Sequence, residues 1–105
     1  MTKGDWECHI TIDTNNSPEA HEKLKELVEL LHWRFSKIDG DPALGQGVRC
    51  YATQLYHDKD VAVYMTVNAA SFFLSKGWIV VRRKVEHVIH DTNWADSEKI
   101  YYKLT

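Results

Sequence analysis

The chain lacks a long apolar run: no stretch of its 105 residues approaches the length needed to span a bilayer. Its opening, MTKGDWE, lacks the apolar core of a signal peptide. It also lacks a linker, an internal repeat and a low-complexity segment, so one domain over residues 1–105 is expected. Cysteine is scarce. Cys8 and Cys50 both fall on the apolar phase of strand-like segments and read as two buried thiols. A bridge between them requires neighbouring strands with suitable geometry. An excess of one charge is missing as well. Thirteen Lys and Arg stand against fifteen Asp and Glu, giving a net charge of −2 and a pI near 6.3. Overall charge therefore gives no pull toward nucleic acid or membrane, and an anion site has to come from local clustering. A soluble protein of a reducing, cytoplasmic compartment is expected, with no membrane partner and no extended nucleic-acid surface.

What is present is enough apolar material for a core, 44% of residues including four Trp, arranged in alternating strands and two helical segments. Residues 6–13 alternate strictly and predict a strand. Asn15, Asn16 and Ser17 offer turn and cap chemistry, and Pro18 suits the first helical position. Over 18–32, Ala20, Leu24, Leu27, Val28 and Leu31 form one apolar stripe, while Glu19–Lys23 and Lys25–Glu29 are spaced four apart on the wet side. A short strand is expected at 33–38, a glycine-bearing loop at 39–47 and a strand at 48–57. Residues 59–76 read as a helix with Val61, Met65, Ala69, Phe72 and Phe73 on one side, stopped by Gly77. A long strand follows at 78–90, a break at 91–96 and a short last strand at 99–104.

The order β-α-β-β-α-β, with an extra C-terminal strand, predicts an α+β, ferredoxin-like fold: two helices on one face of an antiparallel sheet, the other face open. Cys8, Ile10 and Ile12, then Val48, Cys50 and Ala52, then Ile79, Val81 and Val85 are expected under the helices. Arg83 interrupts that phase. With the first strand between the third and fourth, His9 is expected between Tyr51 and Lys84 on the open face.

That open face carries the candidate chemistry. Arg34 and Ser36 come from the second strand, Arg49, Tyr51 and Thr53 from the third, and Arg82, Lys84 and Glu86 from the fourth. Several cations on adjacent strands suit a phosphate or carboxylate, and arginine can hold either one bidentately. Tyr51 offers a stacking surface for a base or sugar. His9 titrates near neutral pH, and Thr11 lies beside it on the same face. Glu7, Asp13 and Glu86 interleave with the cations, so a mesh of cross-strand ion pairs is an equal alternative.

His9-Ile10-Thr11 resembles one half of the signature of two-histidine phosphoesterases, in which a His acts as acid or base and a Ser or Thr helps to hold phosphate. The resemblance gives His9 and Thr11 catalytic roles. The second H-x-T is missing, and a homodimer would have to supply it. A second resemblance covers roughly residues 6 to 92. Trp33-Arg-Phe-Ser-Lys-Ile-Asp-Gly-Asp-Pro-Ala-Leu-Gly, Cys50-Tyr-Ala-Thr, Gly77 and Arg82-x-Lys84-x-Glu86 are similar to small, functionally uncharacterised single-domain proteins of bacteria and their phages. It implies a shared fold and a cytoplasmic setting, and it assigns no catalytic residue.

Neither metal ligands nor a cofactor are expected. His87 and His90 point opposite ways on a strand, and His21 and His32 lack a third partner, so surface histidines are the simpler account. The loop from Asp39 to Gly47 lacks the Lys-Ser/Thr of a phosphate-binding loop and reads as a structured hairpin with a turn begun by Asp41-Pro42. The expected function is therefore a small module whose open face binds a phosphate-bearing ligand, such as a nucleotide or an RNA end. The alternatives are a phosphoesterase using His9, and an interaction module that associates through a sheet surface or through Trp94, Tyr101 and Tyr102.

Overall fold

The computed structural model describes the backbone at residues 3–40, 43, 47–90 and 97–104, and side chains at 5–40, 43 and 47–88. The elements are β1 (Lys3–Asp13), α1 (Pro18–Leu30), β2 (Arg34–Ile38), β3 (Arg49–Tyr56), α2 (Lys59–Ser75), β4 (Ile79–His90) and β5 (Ser97–Leu104). They form one antiparallel sheet in the order β2-β3-β1-β4-β5. This is the ferredoxin-like arrangement, extended by β5 along the outer side of β4.

Local chemistry sets the ends of the helices. Ser17 Oγ accepts from Ala20 N at the start of α1, and Asp58 Oδ1 accepts from Val61 N at the start of α2. The turn before α1 puts Asn15 and Asn16 at positive φ, 54° and 59°, which asparagine tolerates. Asn16 Oδ1 then accepts from Val48 N at 2.8 Å, tying this turn to the entry of β3. A Cβ on Gly47 would stand 2.7 Å from that oxygen, so only glycine allows the tie. Gly77, at φ 87°, ends α2 as expected.

The core lies between the helices and one face of the sheet. Cys8, Ile10, Ile12, Cys50, Ala52 and Val85 meet Leu24 and Val28 of α1 and Ala62, Ala70 and Phe73 of α2. Cys8 and Cys50 are free, buried thiols. They sit on paired strands, but Cys50 is registered with Ile12, four residues along from Cys8. That separation of about 13 Å excludes a bridge. Burial raises both thiol pKa values above the ordinary range.

Three sequence expectations are corrected. The first concerns β4, where Ile79 and Val81 are 62% and 61% exposed and Val80 packs on the core instead. The β1 partner steps from Arg82 to Val80 between Thr11 and Ile12, so Val81 is an extra, bulged residue. The bulge reverses the inward phase for the first part of the strand. Beyond it, Arg83 pairs with Ile10 on the helix side and remains half-buried.

The second concerns α2. Its inner line is Ala62, Thr66, Ala69, Ala70 and Phe73, while Val61 and Met65 are exposed. Small side chains bring the helix close enough for Cys8 Sγ to donate to Ala62 O at 3.6 Å. The helix is apolar over most of its circumference, so periodicity alone does not set its rotation. The third is His21, expected at the surface but buried on α1, with Nε2 lacking a hydrogen-bond partner among the described residues.

Residues 41, 42 and 44–46, which carry the Asp41-Pro42 turn, lie outside the described residues, as do Trp94 and the side chains of Tyr101 and Tyr102. Among the described residues, no helix is long and apolar enough to cross a membrane.

Candidate functional site

Alternation on β1 turns Glu7, His9 and Thr11 away from the helices. The ladder sets their neighbours. His9 is flanked by Thr53 on β3 and Lys84 on β4, Thr11 by Tyr51 and Arg82, and Glu7 by Leu55 and Glu86. Thr53 and Tyr51 are themselves paired with Arg34 and Ser36 of β2. The expected neighbour of His9 on β3 was Tyr51. The true register is offset by two residues, which keeps the face and changes the partner.

These side chains enclose a cavity of about 390 Å³ on the open face. Glu7, His9 and Thr11 line it from β1, Arg34, Ser36 and Ile38 from β2, Tyr51 and Thr53 from β3, and Arg82, Lys84 and Glu86 from β4. Nine of the ten residues singled out in the sequence therefore converge. Arg49 does not. It lies lower on β3, beside Ile38, and borders a separate depression with Asn16, Gly47 and Val81. Its correct parity puts it on the right face, but its position along the strand takes it past the cavity end.

The floor is unusually dry for an uncovered face. Thr11, Thr53 and Glu86 are 7%, 6% and 3% exposed. His9 Nε2 lies 2.5 Å from Glu7 Oε1 and 3.6 Å from Glu86 Oε1, and Lys84 Nζ lies 2.5 Å from Glu86 Oε1. On the other side of the ring, Nδ1 is 3.3 Å from Thr53 Oγ1. A carboxylate only accepts, so Nε2 carries a proton toward Glu7, and in the neutral ring Nδ1 accepts from the Thr53 hydroxyl. Burial lowers the His9 pKa from its ordinary value, opposed by Glu7 and Glu86 and reinforced by Lys84.

Sequence reasoning put Glu7 on this face with Glu86, as part of an ion-pair mesh, but not among the site residues or as a joint ligand with His9. The three offer ligand atoms within 4.8 Å of one another. The available signal was the period-two pair Glu7-x-His9 facing a strand that carries Glu86. A search confined to histidine pairs passes over it. Three other described histidines make contacts elsewhere: His57 Nδ1 meets Asp5 Oδ1 at 2.8 Å, His87 stacks on Trp6 at 4.1 Å, and the backbone carbonyl of His32 accepts from Gln54 Nε2.

No family model, curated protein or solved structure matches the chain. The functional reading therefore rests on the cavity itself, and the two-histidine likeness rests on His9 and Thr11 alone.

Proposed function

We propose that the open-face cavity binds a small, anionic, phosphate-bearing ligand, of the size of a nucleotide or an RNA end. The observation that carries this reading is the pair Arg34 and Arg82. Both line the cavity, both are exposed, and neither makes an ion pair with a described residue. Glu7 and Glu86 are occupied with His9 and Lys84, which leaves the two guanidinium groups to an incoming anion. Tyr51 on β3, between the two strands that carry them, and Ser36, its partner on β2, line the same cavity and supply hydroxyl donors and a ring face. A cavity of about 390 Å³ suits a compact ligand. An extended duplex needs a broader basic surface than this chain carries.

The phosphoesterase alternative asks His9 to exchange a proton with substrate. Both ring nitrogens already face protein groups, Glu7 and Thr53, which favours a structural part for the ring within a binding site. The test is calorimetric titration of inorganic phosphate and ribonucleotides at low ionic strength with EDTA present. One ligand per chain is expected, with binding weakened by Arg34→Ala and by Arg82→Ala and by added salt. Absence of binding by every phosphate compound overturns the reading, as does binding indifferent to both arginines.

A further inference from the structure

We propose that Glu7, His9 and Glu86 form a site for one divalent transition-metal ion of the zinc class at the floor of the same cavity. The ladder presets this geometry. Glu7 and His9 are alternate residues of β1, and Glu86 is the direct partner of Glu7 on β4. The paired strands hold the three donors within 4.8 Å of one another. Bonds of about 2.0–2.2 Å place ligand atoms roughly 3.2–3.5 Å apart. The His9–Glu86 separation is already 3.6 Å, and Glu7, at 2.5 Å from the ring, has only to withdraw slightly.

The donor set is one imidazole and two carboxylates, which suits zinc-like and manganese-like ions better than the all-oxygen preference of calcium. All three residues line the cavity, so the remaining coordination positions face it. The outer support is present as well. Thr53 Oγ1 stands 3.3 Å from Nδ1, and a hydroxyl both accepts and donates. On binding, the ring proton leaves Nε2 and Nδ1 gains one, now donating to Thr53, so the imidazole stays neutral and Nε2 is open to the ion. Lys84 Nζ, 2.5 Å from Glu86 Oε1, is the internal cation that the ion displaces.

This inference shares its cavity with the anion reading and is tested apart from it. The full chain is titrated with Zn²⁺, and separately with Mn²⁺, in phosphate-free buffer against a chromophoric chelator. One ion per chain with micromolar or tighter affinity is expected. His9→Ala, Glu86→Gln and Glu7→Gln should each weaken it by at least about tenfold, whereas His57→Ala leaves it unchanged. Lys84→Met should tighten binding, because the competing cation is gone. Circular dichroism and melting identify which variants are folded, and the more exposed Glu7 keeps the test open if a buried variant fails. The proposal is overturned if no saturable binding occurs, if binding survives the loss of the three ligands, or if Lys84→Met does not tighten it. Metal binding lost while phosphate still binds in EDTA removes this inference alone. The reverse result removes only the anion reading.

Discussion

On the helix side of β1, Cys8, Ile10 and Ile12 are almost wholly buried beneath α1 and α2. On the opposite face of the sheet, Thr11, Thr53 and Glu86 are 7%, 6% and 3% exposed, with no helix above them among the described residues. The first face is dry because two apolar layers close on it. On the second, the polar side chains are partnered with one another, as in the chain Thr53–His9–Glu7 and the pair Lys84–Glu86. The ion pairs of this floor are more buried than a fully wet pair. The exposed pair Lys25–Glu29, at 3.9 Å, is what an ordinary wet contact in this protein looks like.

The sharpest way to break the comparison is to cut one side chain from each face. Phe73→Ala opens a cavity under α2 and should cost about 3–5 kcal/mol in urea unfolding. Thr53→Val, which keeps the shape and removes the hydroxyl facing His9, should cost only about 1 kcal/mol. Equal costs would mean that the open face contributes to folding as the core does.

A smaller effect separates the faces by pH. Cys8 and Cys50 lie on the apolar side, and burial raises both thiol pKa values in the native state. The native chain then holds those protons where the unfolded chain has released them. Their contribution to stability is complete below the unfolded thiol pKa, about 8.5, and declines as pH rises through and beyond it. Urea midpoints measured from pH 7 to 10 should fall, and Cys8→Ala/Cys50→Ala should flatten the slope. Alkylation of the wild-type thiols should track unfolding.

The smallest change tests a polar group buried on α1. His21 is 7% exposed, with Nε2 unpartnered among the described residues. His21→Leu removes a polar atom that burial penalises and should be neutral or stabilising by up to about 1 kcal/mol. A clear loss of stability would show that this ring has a partner essential to the packing of α1.

The arrangement of elements was legible because its signals are local. Ser17-Pro18 starts α1, Gly77 ends α2, and strict alternation over residues 6–13 assigns the faces of β1. The shared face of the candidate residues was legible to the same depth: parity brought His9, Thr11, Tyr51, Thr53, Arg82, Lys84 and Glu86 to one side. Parity says nothing about distance along a strand, which is why Arg49 faces correctly yet borders another depression. It also fails where a residue is inserted into the ladder, as Val81 is. The phase of α2 was illegible for a different reason, since an almost uniformly apolar helix offers no stripe to read and its rotation follows from which small residues fit the sheet.

By itself, then, the sequence determined the succession of strands and helices and the two-sided character of the sheet. Caps, glycines and alternation act within a few residues of one another. Only the tertiary structure decided that Glu7, His9 and Glu86 meet, that Arg49 stands apart, and that Val80 rather than Val81 enters the core. Those outcomes depend on cross-strand register and a single bulge, which arise from pairing between segments distant in the chain.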